Sequence, residues 1–271
     1  MRKISQMALT TTGLSLLLLA WSGSAQTSTG NDKEVIANGG LLHSLLAAPV
    51  TGQPYSAEQV HSTVQVLADG TKVSHQGHHF VARDAEGRVR VEMRLANGQN
   101  GQPDAVQVYV TDPVAHILGV WRVGIQGAKN EASIFKMPAR DAQQPVKLAS
   151  ETSPKVDARP QPIVTVEDLG MDSLQGIAVS VQKTTTIVPA GRSGNDKPIT
   201  KTHEVWTSPD LKLVLKEEWN DPRTGTKTVE LRNLSRGDPD PALFRPPSGY
   251  AVKNTKQGLK DIEEILAENQ N

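Results

Sequence analysis

The chain has 271 residues, with 29 Lys and Arg against 29 Asp and Glu, 4% aromatic residues and no cysteine. Balanced charge leaves no electrostatic footprint for nucleic acid or anionic lipid, and so few rings give no stacking platform for bases. Without cysteine there are no disulfides, thiolate metal sites or thiol nucleophiles, so stability must come from an ordinary apolar core.

The first 25 residues read as a secretory signal peptide. Arg2 and Lys3 make a positive start, the uncharged run from Met7 to Trp21 has Leu16-Leu17-Leu18-Leu19 at its centre, and Gly23-Ser24-Ala25 supplies small residues for cleavage before Gln26. That run is thin for a span needing about 20 apolar residues, and no second one follows, so the mature chain is expected to be periplasmic or secreted with no transmembrane segment. No cysteine is present at the new N-terminus to accept a lipid anchor. Subtracting the 25 leader residues from 271 leaves 246, enough for one large β domain or two smaller units.

Residues 26–54 form an N-terminal segment in which Val35, Ile36, Leu41, Leu42, Leu45 and Leu46 predict a short helix, interrupted by Gly39-Gly40. From 55 to 138 the period changes to two, the signature of strands. VHSTVQVL (60–67), Asp69-Gly70 and TKVSHQGHHFVA (71–82) predict a hairpin. With Asp69 and Gly70 as a two-residue turn, partner numbers sum to 139. That register sets His61 opposite His78 and Thr63 opposite Gln76 on a polar face, and puts His75 and His79 on the apolar face with Val64, Val60 and Met93. In the next hairpin, through RDAEGR, Gly87 takes the left-handed position after a type I turn and partners sum to 172, so Val81 faces Val91 and His79 faces Met93.

Three histidines in VSHQGHHF (73–80) raise the question of a metal. His75 and His79 lie about 13 Å apart along a strand, too far to share a zinc at roughly 2.1 Å. Only His61 and His78 could meet, beside the cation Arg94, so no metal site is expected.

Further strands are predicted at AVQVYVTDP (105–113), HILGVWRVGIQ and EASIFKMP. Residues 139–162 lack an apolar face and read as a flexible polar linker or insertion. A second meander of the same sheet is expected over 163–252, through PIVTVEDL, GIAVSVQKTTTIV and the segment from Ile199 to Leu234, divided into three strands at Ser208-Pro209-Asp210 and Asp221–Gly225. Within 253–271, Leu259, Ile262, Ile265 and Leu266 share one side of a predicted C-terminal helix.

Chemistry is represented mainly by absences. Gly191-Arg192-Ser193-Gly194 ends as neither a phosphate loop nor a nucleophile elbow, and no His-Glu-x-x-His occurs. Asp238 and Asp240 each precede a proline and belong to a turn. No catalytic residue, cofactor or metal ligand is expected.

The pieces LADG (67–70), RDAEGRVR (83–90), TDPVA (111–115), VPAGRSGNDKPI (188–199), EVWTSPDL (204–211), NDPRTG (220–225) and LRNLSRGDPDPALFRPPSGY (231–250) together resemble a group of secreted bacterial β-proteins. The later pieces also resemble the outer-membrane lipoprotein carrier (LolA-like) superfamily, whose late strands run through W-x-S-P-x-L and end in P-x-x-F-x-x-P-x-G-Y. The resemblance implies a mainly β fold, a strongly curved antiparallel sheet or half-barrel, with the N-terminal and C-terminal helices closing its concave side. It implies a non-enzymatic binding protein holding an apolar ligand or lipid, with Val91, Met93, Trp121 and Trp206 as candidate lining. The alternative is a cell-envelope sensor or interaction module that contacts another envelope protein through an exposed sheet edge or the C-terminal helix.

Overall fold

The computed structural model describes residues 49–96, 105–125, 129–137 and 159–255. The expected signal peptide, the expected N-terminal helix and all but the last four residues of the expected polar linker lie outside the described residues, as does the expected C-terminal helix except for Lys253–Thr255, which are strand. Twelve strands are present among the described residues: β1 (Tyr55–Val66), β2 (Lys72–Arg83), β3 (Val89–Ala96), β4 (Ala105–Asp112), β5 (Ile117–Val123), β6 (Glu131–Lys136), β7 (Ile163–Leu174), β8 (Ile177–Val188), β9 (Ile199–Ser208), β10 (Leu213–Asp221), β11 (Gly225–Ser235) and β12 (Ala251–Thr255). They form one open sheet in the order β12-β6-β5-β4-β3-β2-β1-β11-β10-β9-β8-β7. The fold is therefore mainly β and antiparallel, with one exception, the parallel pairing of β12 on β6. The two meanders join where β1 pairs with β11. Gly225 begins β11 at φ +90°, and a Cβ there would collide with the Val64 carbonyl oxygen, so this junction accepts only glycine.

The sheet curls strongly, and two hydrogen bonds show it. Arg83 of β2 donates through Nη2 to the Leu211 carbonyl in the β9–β10 turn at 2.7 Å, although β1 and β11 lie between. A flat sheet would separate those elements by about 14 Å, beyond the reach of an arginine. Likewise Gln175, in the β7–β8 turn, donates to the Leu231 carbonyl on β11 at 2.7 Å across two intervening strands. The β9–β10 end is thus folded over the concave face.

The first hairpin corrects the expected register. Observed partners sum to 138, from Tyr55 with Arg83 to Val66 with Lys72. The loop holds three residues: Leu67 N donates to Thr71 O at 2.8 Å, Gly70 N donates to Leu67 O at 2.9 Å, and Gly70 has φ +86°. The extra loop residue moves the pairing by one position. His78 consequently lies opposite Val60, and His61 lies opposite Gly77 on the face that carries His75 and His79. The second hairpin has the expected register, with Val81 opposite Val91 and His79 opposite Met93, and Gly87 takes a left-handed φ of +86°.

Two apolar layers result. On the concave face Tyr55, Ala57, Val81, Val91, Tyr109, Leu118, Phe135 and Leu231 meet Leu211, Leu213 and Leu215 from the folded-over end. On the convex face Val108, Val110, Trp121 and Ala132 are covered by Phe244, with Leu243 and Tyr250 beside it. These last residues belong to a strap, a 3-10 turn over Pro241–Phe244 whose start is capped by Asp240 accepting from Ala242 N at 2.9 Å. Arg90 holds the strap down by donating to the Leu243 carbonyl. Asp238 accepts from Ala85 N at 3.2 Å and so ties the strap to the β2–β3 turn, while Asp240 caps the 3-10 turn itself.

Candidate functional site

The concave face changes character along the strands. At the end that carries the β9–β10 turn it is filled by the apolar cluster, and toward the other end it becomes a polar floor. Cross-strand partners define one row of the floor as Val166, Thr184, His203, Trp219, Lys227, Thr63 and His75. Beside it Glu217, Val229, His61 and Gly77 form a second row, and Gln59, His79, Met93 and Gln107 a third.

Four polar side chains are buried here: Gln59, His61, Gln107 and Glu217. Buried polar atoms need partners, because an unsatisfied one keeps its desolvation penalty. Gln107 donates to the Trp121 carbonyl at 2.9 Å, and Glu217 Oε1 lies 3.0 Å from His203 Nε2. His203 stacks flat on Trp219 at 4.7 Å, while the Lys227 ammonium sits 5.3 Å from the same ring. Burial lowers the Lys227 pKa against the pull of Glu217.

The histidine pair is less well satisfied. His61 Nε2 lies 3.0 Å from Gln59 Oε1, and the two imidazoles of His61 and His79 meet edge to face at 4.7 Å. Because the amide oxygen can only accept, Nε2 of the neutral ring carries the proton and Nδ1 is a bare acceptor. Nδ1 of His61 and Nδ1 of His79 are both buried without a partner among the described residues. Desolvation, with His79 and Lys227 nearby, pulls the His61 pKa down to about 3; desolvation and His78 pull His79 to about 4. Opposite His61, Gly77 offers no side chain, and a Cβ there would meet nothing within 4 Å. The floor therefore holds a neutral hydrogen-bond acceptor, His61 Nδ1, across from the open space at Gly77. Among the described residues no three His, Asp or Glu side chains gather as metal ligands.

Of the four lining candidates, Val91 and Met93 are buried in the concave cluster, and Trp206 packs against that cluster with the Lys216 ammonium 4.2 Å from its ring. Trp121 lies in the convex cluster under Phe244, with the Arg90 guanidinium 5.7 Å from its ring. By ladder register Val91 and Met93 stand on the floor side, whereas Trp206, in line with Lys216, Glu230 and Val60, and Trp121, opposite Val108, stand on the other face. Meeting of His61 with His79 escaped the sequence reading through the register of one loop. The signal was present, since LADG and DAEG both place glycine fourth and both make a type I turn followed by a left-handed glycine.

Two further surfaces could receive something. A cleft of about 400 Å³ lies between Gly52, Gln53 and Pro54 on one side and Asp210, Leu211 and Arg236 on the other, open to solvent and close to the Arg83 clip. The second is β7. Among the described residues it ends the sheet, and along it Ile163, Val164, Val166, Leu169 and Met171 are 51 to 65% exposed. Long apolar edges are normally blunted, because an unpaired rim templates another strand.

No protein-family model matches the chain, and no curated protein does. Solved structures do show likenesses. An uncharacterized conserved protein from Thermus thermophilus is similar with 14% identity and a TM-score of 0.36, covering 75% of this chain and 91% of that one. MucB in the Pseudomonas aeruginosa MucA/MucB complex has 14% identity and a TM-score of 0.36, with 73% of this chain and 56% of that chain covered. A LolA superfamily protein from Nitrosomonas europaea has 10% identity and a TM-score of 0.28, over 75% and 95% of the two chains.

Proposed function

We propose that this chain is a non-enzymatic binding protein of the cell envelope, periplasmic or secreted, and that it works by contact with another polypeptide along β7. One observation carries the reading: a twelve-residue edge strand keeps five large apolar side chains in water, while the apolar part of the concave face is already filled by its own side chains. An enclosed acyl-chain cavity would need that space empty. Strand addition at a sheet edge gives affinity through main-chain hydrogen bonds and specificity through alternate side chains. A photoreactive amino acid placed at Val166 in living cells tests this, with Val252 on the opposite edge as control. Crosslinking to a polypeptide from position 166 alone is the expected result; equal labelling from both positions, or from neither, contradicts it.

A second reading is favoured by the concave floor. Open space at Gly77 beside the unpartnered His61 imidazole, next to the wall of Val91 and Met93, supports an apolar ligand or lipid whose polar end donates a hydrogen bond there. Trp121 is on the wrong face for that ligand. Native mass spectrometry of protein taken from the envelope decides this reading: a bound lipid supports it, and a bare chain removes it.

A further inference from the structure

The two halves of β7 are built differently. A bulge interrupts its pairing with β8 between Asp168 and Gly170, and beyond it the rim is partly closed by its own side chains. Asp168 accepts from Gly170 N at 2.8 Å, and Asp172 accepts from Ser173 N at 2.7 Å. Bulges and inward-turned carboxylates are the usual devices for refusing a new strand. The first half, Ile163-Val164-Thr165-Val166-Glu167, carries neither device, and no strand lies beside it among the described residues. Its approach is fixed, because Arg192 donates to the Pro160 carbonyl and Arg159 donates to the Arg192 carbonyl. The stretch is therefore presented as a ready strand.

We infer that this half-edge pairs with the same half-edge of a second copy of the chain, antiparallel, about a two-fold axis through Thr165. The inference rests on the docking role proposed for β7 and names its occupant. Charge is the first argument. The only ionisable group in the stretch, Glu167, lies opposite Lys183 in the ladder, and Lys183 is also bridged to Glu204 at 3.0 Å, so the rim asks for a neutral partner. Register is the second. With the axis at Thr165, Val164 meets Val166 of the other copy, threonine meets threonine, and Ile163 meets the stem of Glu167, so no like charges face each other. Moving the axis to Glu167 sets carboxylate against carboxylate. Moving it to Val164 brings Pro162, which has no N–H, into the ladder. Of these three registers, only the one centred on Thr165 pairs the rim with itself without like charges or a proline in the ladder.

Val164 and Val166 project from the concave face, as the row from Val166 through Thr184 to His203 shows. Pairing would make one continuous sheet with the two concave floors side by side. Five residues on each side make less contact than the roughly 1,200 Å² of a stable interface, so the dimer is expected to be weak and concentration-dependent.

The test is sedimentation equilibrium of the purified protein over a wide concentration range, with charge-swapped rims. Wild type should rise from monomer to dimer mass. Val164→Lys with Val166→Lys should weaken pairing at least about tenfold, as should Val164→Glu with Val166→Glu, and an equimolar mixture of the two variants should restore a dimer. Thermal unfolding of each variant shows that the fold is kept. Wild type remaining monomeric throughout, or a mixture no tighter than its components, overturns self-pairing. In that case amide exchange of residues 163–167 separates the two claims. Protection only when envelope extract is added leaves β7 a docking edge for another protein, and unchanged exchange removes both.

Discussion

The two edges of this sheet are finished in opposite ways. At one, β12 has five residues, lies parallel on β6, bears a single large apolar side chain, Val252, and is pinned by Lys253 to Glu131 at 2.7 Å. Behind it the convex face is closed by the strap through Phe244. At the other, β7 runs for twelve residues with five exposed apolar side chains. Shortness and lysine are ordinary protection against stray pairing, and their presence at one edge makes their absence from half of the other informative. The asymmetry is what the proposed role requires, with β7 left open to a partner and β12 guarded against one.

That contrast can be broken at several points, beginning with the largest expected effect. Phe244→Ala should remove about 3 to 5 kcal/mol in denaturant unfolding, because it empties the covered side under the strap. A loss below about 1 kcal/mol would mean that the strap does not close that flank. Acid comes next. His61 and His79 are held neutral in the fold, with pKa values of about 3 and about 4, whereas the unfolded chain binds their protons below about 6.5. The unfolded state therefore takes up more protons as pH falls, and stability present above pH 6.5 should decline by about 2 kcal/mol per ring by pH 5. His61→Gln should flatten roughly half of that slope. An unchanged pH profile in the variant would show that the ring is not buried on the floor.

Smaller effects sharpen the comparison. Arg83→Met keeps the stem over Tyr55 but leaves the Leu211 and Gln53 carbonyls without their donor, an expected loss of about 1 to 3 kcal/mol. A neutral result would mean that packing alone holds the curl. Smallest of all, Val166→Lys and Val252→Lys should each change stability by less than about 0.5 kcal/mol, since both side chains already stand in water. A large loss in Val166→Lys would show that β7 is part of the core.

Much of this architecture was legible from alternation alone. RVRVEMRL shows its two faces in sequence, and Val91 and Met93 went to the concave core as Arg90 and Glu92 went to the convex face, Arg90 buried under the strap. RDAEGR announced its turn and register. The first hairpin did not, because Asp69-Gly70 mimics a two-residue turn while the Leu67–Thr71 bond encloses three residues, and one residue exchanges faces. The curl was outside local reading, since Arg83 and Leu211 stand 128 positions apart. So was the open edge: PIVTVEDL reads like any buried strand, and only the sheet order tells that nothing lies beyond it among the described residues.

Hydrogen–deuterium exchange, followed strand by strand, tests the difference between the edges most directly. Amides of Ile163–Glu167 should slow as protein concentration rises or when envelope extract is added, while those of Val252–Thr255 keep one rate throughout. Exchange in 163–167 that stays as fast as in 252–255 under every condition would contradict the account.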